Sequence, residues 1–489
     1  MHPFVRSILV AALYGLLVAS AHAQDVPAPE AVATLESTLT AVIARAAPSV
    51  VAIARVRKEK PGEVFSLEFR PDPFGRRTVP PLAVAPTDAD FLPNEYGTGV
   101  AIDRQGLILT AYHVLAPDSD YYVTTHEHKV YPAQIKAADP RSDLAVLVID
   151  TGDLSPIPFG DAAQLRKGQF VVALGNPYAI ARDGQASASW GIVANLNRKA
   201  PLTPEETDSP GRRTLHQFGT LIQTDARLCL GTSGGPLVNL RGEMVGLGVA
   251  LAAVAGYEQA AGYAIPIDAT FRRVIDTLKQ GREVEYGFLG VRPMNLRAQE
   301  VRDGRRGVRV QNVVPGTPAD RFGLRPEDVI TAVAGKPIDG SDGLMLEVGR
   351  MPADTQVRFA VLRGSERLEI PVTLAKYPVQ GVKIVTAPSP AWRGMRVEYP
   401  TAVVDAPWAG QTRPTHFDEG VLAIEVVEGS PAWKAGLRPG TIIVRVDQTR
   451  VSTPRQFHAA VASRKGRVPL DVFAPGAESA STRVVEPGK

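Results

Sequence analysis

Between residues 97 and 267 the chain is written as short apolar runs cut by glycine, proline, asparagine and aspartate: GVAIDRQGLILTA, LAVLVI, QFVVALG, GIVANL, LIQTDA, PLVNL and EMVGLGVALAAVA. Many short strands at regular spacing, with turn residues between them, are the pattern of an all-β sandwich or pair of barrels and not of alternating βαβ units. One stretch departs from it: ATFRRVIDTLK, 269–279, has helical periodicity and stands where such a domain would close. Ahead of the β-rich region, Val32, Leu35, Leu39, Val42 and Ile43 recur at helical intervals, and Pro48 then hands over to a strand-like SVVAIARV. Residues 58–95, rich in proline, glycine and charge, are expected to form a long loop.

The remainder of the chain contains one small domain written twice. GVRVQNVVPGTPADRFGLRPEDVITAV starts at Gly307 and GVLAIEVVEGSPAWKAGLRPGTIIVRV at Gly420, an offset of 420 − 307 = 113 residues. Pro318/Pro431, Ala319/Ala432, Gly323/Gly436 and Leu324/Leu437 are among the shared positions. Two copies make a tandem, since a stacked solenoid needs at least about three. A length of 489 residues leaves room for about three domains.

Charge and cysteine usage narrow the function classes. The 54 basic and 51 acidic side chains leave a net charge of +3, so no global field argues for nucleic acid or an anionic membrane. The opening MHPFVRSILVAALYGLLVASAHAQ combines a basic Arg6, an apolar run and a small-x-small site at Ala21-His22-Ala23. It reads as an export signal, residues 1–23, with an uncleaved anchor as the alternative. No later stretch is long enough to span a bilayer. Cys229 is the only cysteine, which rules out an intramolecular disulfide and a thiolate metal cluster. It can be a small buried apolar residue or, less simply, a nucleophile.

Three separated stretches carry the chemistry. The apolar run LILTA leads into Tyr112-His113-Val114, where the histidine is either a satisfied core residue or a base held on rigid structure. Thirty residues later, DPRSDLAVLVI places Asp143 at the mouth of a buried strand, where an unpaired carboxylate is costly and His113 is a suitable partner. Asp139 is the rival; its place before Pro140 in a turn suggests that it points to solvent. Next comes Gly231-Thr232-Ser233-Gly234-Gly235-Pro236, whose glycines permit a sharp turn. That turn would present the amides of Gly231 and Ser233 to a developing oxyanion. His, then Asp, then Ser is the chain order of chymotrypsin-type enzymes.

With these blocks in hand the chain resembles the HtrA/Deg serine proteases: GTGVAIDRQGLILTAYHVL, DPRSDLAVL, LGNPYAI, GIVANL, IQTDARLCLGTSGGPLV and GYAIP match in order, and the tail resembles two PDZ domains. The resemblance implies a mainly β fold, with a chymotrypsin-like double β-barrel protease domain over 24–280 followed by two α+β PDZ domains, 284–377 and 378–489. It implies His113 as general base, Asp143 as its orienter and Ser233 as nucleophile, with Gly231 and Ser233 forming the oxyanion hole. It also implies a substrate pocket of Leu228, Gly248, Val249 and Ala252, suited to small aliphatic side chains. Arg227 leaves an acidic preference open. Two departures stand out: Cys229-Leu230-Gly231-Thr232 replaces the usual Asn-Pro-Gly-Asn, and Ala111-Tyr112 the usual Asn-Asn.

The polar segment 197–217 matches the family's regulatory loop, and Arg198 its sensing arginine. In the first PDZ copy Tyr286, Gly287, Phe288, Leu289 and Gly290 match the loop that captures a peptide carboxylate. The second copy reads Trp392-Arg393-Gly394-Met395-Arg396-Val397, with Arg396 expected where the second glycine would stand, so peptide binding is assigned to the first copy and assembly to the second. His126 and His128 are expected on one strand face, but with no third ligand no metal is expected, nor any cofactor. The resemblance thus implies an exported, periplasmic or secreted endopeptidase for unfolded proteins. It would be regulated by C-terminal peptides and assembled as trimers through its protease domains, or as multiples of trimers through the long first loop that holds Phe65, Phe69 and Phe74. A slow or inactive holdase retaining the fold is the alternative.

Overall fold

The computed structural model describes residues 30–58, 95–176, 184–200, 213–249, 262–403 and 420–488. The export segment 1–23, the phenylalanines at 65, 69 and 74, and Ala252 lie outside the described residues. Among the described residues no helix is long and apolar enough to cross a membrane.

The short apolar runs become twelve strands in two closed barrels. The first has the order β5-β4-β1-β2-β3-β6 and closes through β5 and β6. Its strands are β1 (Val50–Arg57), β2 (Glu95–Ala101), β3 (Leu107–Ala111), β4 (Ser119–Thr124), β5 (Val130–Asp139) and β6 (Leu144–Ile149). The second is closed in the order β10-β11-β12-β9-β8-β7. It comprises β7 (Phe170–Gly175), β8 (Ser187–Arg198), β9 (Leu221–Thr224), β10 (Pro236–Asn239), β11 (Met244–Val249) and β12 (Gly262–Pro266). Closure leaves no free sheet edge within a barrel, which suits strands buried on the inside.

Helix α1 (Glu30–Ala46) buries Val42 and Ala46, and α2 (Ala269–Lys279) buries Phe271, Val274, Ile275 and Leu278. These side chains join one core with residues of both barrels, such as Ile53, Leu147, Leu247 and Ile265. Asp268 caps α2 by accepting from the Phe271 amide at 3.0 Å, one of the four amides that a helix start leaves without an internal partner.

The tandem copies form two separate β-sheets. In the first, strands run in the order Val291–Asn295, Val308–Val313, Val329–Val333, Gln356–Arg363, Glu366–Thr373, so that Val291–Asn295 is an open edge. Helix α3 (Ser341–Arg350) makes contacts with this edge strand. The second copy repeats the order with Met395–Glu398 at the edge and α4 (Pro454–Ala462) as its helix. Each has its own core, around Phe359 and Phe457 respectively.

The register of the second copy differs from the sequence expectation. In the first copy the amide of Val314 bonds to Gly290 O at 2.9 Å, and in the second the amide of Val427 bonds to Gly394 O at 2.8 Å. Gly290 and Gly394 both have left-handed backbone (φ +89° and +83°) and pack against Thr317 and Ser430 at equivalent turns. The second glycine is therefore present as Gly394, and Arg396 lies two residues farther on, inside the edge strand. The real difference is at Arg393, which takes the place of Leu289. Its guanidinium donates to the carbonyls of Val485, Arg464 and Gly466, at 2.6, 3.1 and 2.6 Å. The spacing between the copies, 113 residues from Gly307 onward, is 394 − 290 = 104 residues at this loop, two fewer than the 396 − 290 = 106 that the sequence expectation used.

The connection between the copies does not run free. Ile384–Val385 pairs with Ala138 and Ala137 of β5, extending the first barrel's sheet, and Thr386 Oγ1 donates to Lys136 O at 2.7 Å. His126 and His128 are not on a strand face. They lie in the turn between β4 and β5, where the Thr125 amide bonds to Lys129 O at 2.9 Å and His128 adopts φ +63°.

Candidate active site

The pairing of β3 with β6 explains why a histidine and an aspartate thirty residues apart meet. Ala111 lies opposite Leu144, so the residues just beyond β3 face those just before β6, and the β4–β5 hairpin is the intervening excursion. Asp143, in left-handed backbone at φ +55°, is tied to this strand end by several bonds. Its carbonyl accepts from the Tyr112 amide at 2.9 Å, and its Oδ1 from the His113 amide at 3.0 Å. Its Oδ2 lies 2.8 Å from His113 Nδ1. A carboxylate can only accept, so Nδ1 carries the proton and, in the neutral ring, Nε2 keeps its lone pair.

The electrostatics follow from this geometry. Burial opposes an imidazolium at His113, but the charge of Asp143 and its hydrogen bond outweigh that cost and raise the pKa above the ordinary 6.5. Burial likewise pushes Asp143 up, yet His113, the nearby His216 and the His113 amide together hold it below its ordinary value.

Asp139 does not point to solvent as the turn chemistry suggests. It is buried, and its Oδ2 accepts from the Ser142 amide at 2.9 Å, the Ser142 hydroxyl and the Tyr286 hydroxyl. Burial raises its pKa against the effect of these donors. His216, from the end of the 197–217 segment, completes the support. Its Nε2 donates to Ser142 O at 2.9 Å, leaving Nδ1 to accept from Thr220 Oγ1 at 2.7 Å, and its ring stacks on Phe271. Nothing in the sequence around His216 marked it; only the fold brings it beneath residue 142.

The hexad 231–236 lies against the same strand ends. Gly231 and Gly234 have φ +92° and +88°. A Cβ on Gly231 would sit 2.6 Å from Asn176 O, and one on Gly234 would strike Thr98 O and Thr110 Oγ1, so both positions need glycine for conformation and for space. Thr98 is the organiser that sequence reading missed. Its hydroxyl donates to Gly231 O at 2.7 Å and accepts from the Asn176 amide at 2.9 Å, while its own amide donates to Ser233 O at 2.9 Å. The amides of Thr232 and Gly234 bond to Cys229 O and Gly248 O at 3.0 and 2.9 Å. Ser233 is buried in the cleft wall, and the residue after it packs against Ala111, two positions before His113.

Of the expected pocket residues, Leu228 Cδ2 lies 3.6 Å from where a Gly248 Cβ would be, and Val249 is buried within the barrel. Arg227 is exposed; its carbonyl accepts from Ser189 Oγ at 2.9 Å. Arg227, Leu228 and Cys229 line a cleft of about 110 Å³ with Thr232, Ala173–Gly175 and Ser187–Ser189. Arg198 is exposed at the end of β8, and the adjacent Lys199 pairs with Asp342 on α3. Tyr112, which replaces an asparagine of the family pattern, donates its hydroxyl to Val382 O at 3.1 Å in the inter-copy connection.

The sequence as a whole matches the same assembly of parts. Residues 97–247 match the trypsin-like peptidase domain, and 287–374 and 423–472 each match a PDZ domain. A probable periplasmic serine endoprotease of the DegP type from Chlamydia trachomatis is 32% identical over 389 residues, covering 78% of this chain and 72% of the relative. The chain belongs to the HtrA/Deg family of serine proteases. The periplasmic pH-dependent serine endoprotease DegQ of Escherichia coli is 28% identical over 458 residues, 92% of this chain and 90% of that one. Among solved structures, the HtrA-type protease AlgW with a decapeptide superposes with a TM-score of 0.51 at 26% identity, covering 69% of this chain and 98% of its own. The protein is thus a periplasmic serine endopeptidase of HtrA/Deg type, with two PDZ domains behind a chymotrypsin-like pair of barrels.

The opposition between burial and Asp143 at His113 has a direct readout. In the HtrA/Deg protease, NMR titration of His113 should give a pKa above 6.5. In Asp143→Asn, which removes the charge that raises it, it should fall relative to wild type. An unchanged value would show that Asp143 does not set the charge state of this histidine.

Proposed function

We propose that His113, Asp143 and Ser233 form the catalytic triad of this protease, and that its substrates are misfolded or unfolded proteins of the periplasm. The single observation that carries the reading is the His113–Asp143 pair at 2.8 Å, held at a strand end against which the Ser233 hexad packs. In this reading Ser233 Oγ attacks the scissile carbonyl while His113 Nε2 takes its proton. The amides of Gly231 and Ser233 hold the oxyanion, and the imidazolium returns the proton to the leaving amine. Water then repeats the sequence on the acyl-enzyme, restoring Ser233 and releasing the new carboxylate.

Extended substrate segments occupy the cleft between the barrels, and exposed apolar C-termini occupy the groove of the first PDZ copy. Three features support a binding role for that copy: the loop 287–290, the open edge Val291–Asn295 and the flanking α3. The second copy, with Arg393 committed to three carbonyls at the equivalent loop, serves assembly, which we take to be trimeric as the family resemblance implies. The 197–217 segment relays PDZ engagement, with Arg198 as its sensing residue and the Lys199–Asp342 pair as one of its contacts to α3.

Wild type should degrade casein, and Ser233→Ala should lower the rate by at least about a thousandfold without changing folding. Only neutral His113 can accept a proton, and its pKa is raised. Activity should therefore be full above that pKa and fall as pH drops through it, with a midpoint above 6.5. Residual casein hydrolysis in Ser233→Ala comparable to wild type would overturn the assignment.

Leu228 facing Gly248 favours small aliphatic side chains at the primary site, while Arg227, exposed and lining the same cleft as Leu228, is the residue that would favour acidic ones. Peptides differing only at that position should be cleaved about a hundredfold faster after valine than after aspartate. The reverse order would place Arg227 in the pocket.

A further inference from the structure

The groove of the first PDZ copy is not made by that copy alone. It is lined by 287–291, by Leu344, Met345 and Val348 of α3, and by Tyr377, and among these sits Arg141 of the protease barrel. Arg141 stands two residues before Asp143, in the loop that orients His113.

Its side chain is 1% exposed, and its guanidinium carbon lies 3.6 Å from the centre of the Tyr377 ring and 5.3 Å from that of Tyr286. Nη1 donates to Arg213 O at 3.3 Å, but Nε has no hydrogen-bond partner among the described residues. No carboxylate among the described residues lies within ion-pair distance of it; the neighbouring Asp139 feels its charge but accepts its hydrogen bonds from Ser142 and Tyr286. Gly349, at the end of α3, leaves just enough room: a Cβ there would sit 3.1 Å from Nη2. A buried guanidinium with an unused donor, lining a groove suited to an extended peptide, has no carboxylate in hydrogen-bond contact.

From this we infer that Arg141 completes the carboxylate site of the first PDZ copy, so that the C-terminal carboxylate of a bound peptide is recognised jointly by the loop 287–290 and by a guanidinium contributed by the protease barrel. The inference rests on the peptide-binding reading of that copy given above. Its consequence is short-range coupling. A carboxylate that draws on Arg141 acts on the segment 139–143, and the same segment carries Asp143. Tyr286 reinforces the connection, since it precedes Gly287 of the groove and bonds to Asp139.

The test uses the full chain carrying Ser233→Ala, so that binding is read without cleavage. Its probe is a fluorescein-labelled decapeptide ending in valine, prepared as the free acid and as the C-terminal amide, with affinities from fluorescence anisotropy. In the Arg141→Gln background the free acid should bind at least about tenfold more weakly, while the amide changes less than twofold. General damage to the groove would weaken both peptides alike. Arg141→Lys retains the charge without the planar fork and should fall between; it carries the comparison if the glutamine variant loses its thermal unfolding transition. Equal free-acid affinity with and without Arg141 overturns the composite site and leaves PDZ binding standing. Failure of the free acid to bind the chain with Arg141 intact overturns both.

Discussion

The five residues 139–143 are the constraint on which the rest depends. An aspartate in left-handed backbone has to be held, since nothing local favours that conformation over the ordinary ones. Here it is held from several directions. The Tyr112 and His113 amides fix Asp143 itself, Asp139 fixes the Ser142 amide and hydroxyl, and His216 fixes the Ser142 carbonyl. Only then does the 2.8 Å bond to His113 Nδ1 become a fixed feature of the site and not one of many fluctuating contacts. Taking a carboxylate out of water costs several kcal/mol unless its oxygens are satisfied, so the polar shell and the low pKa of Asp143 have the same cause.

That shell is assembled from parts far apart in the chain. His216 comes from the second barrel, Tyr286 and Tyr377 flank the first PDZ sheet, and Val382 takes the hydroxyl of Tyr112 from the connection to the second. The loop that orients the imidazole therefore touches the first PDZ copy at Tyr286 and Tyr377, and the neighbouring Tyr112 touches the inter-copy connection at Val382. Proximity of this kind supplies a physical route for regulation, because a shift of the first PDZ copy has to be accommodated by Tyr286, Arg141 or the segment between them.

Much of this was legible in the sequence, for identifiable reasons. Short apolar runs with turn residues give barrels because period-two burial leaves little alternative, and the 269–279 helix was visible in its periodicity. The meeting of His113 with Asp143 followed from the cost of burying an unpaired carboxylate. The same reasoning failed for Asp139, where a following proline suggested a solvent-facing turn but a tyrosine 147 residues away supplies the partner. The His126–His128 pair failed because a two-residue spacing looks the same in a strand and in a hairpin turn. Arg396 was misplaced by two residues because the second copy has a single glycine, Gly394, in this stretch, and the sequence does not say which glycine of the pattern it is. Thr98, His216 and Arg141 carried no local signal, since their roles exist only once the barrels and the PDZ sheet are packed together.

The central claim is that Ser233 is activated by the imidazole that this loop orients. A fluorophosphonate reacts with an activated serine hydroxyl and is insensitive to how a protein substrate is recruited. Intact-mass and peptide mapping after its addition should show one adduct, on Ser233, forming more slowly as pH is lowered through the His113 pKa. Absence of an adduct, or its attachment to a different residue with Ser233 intact, would contradict the account.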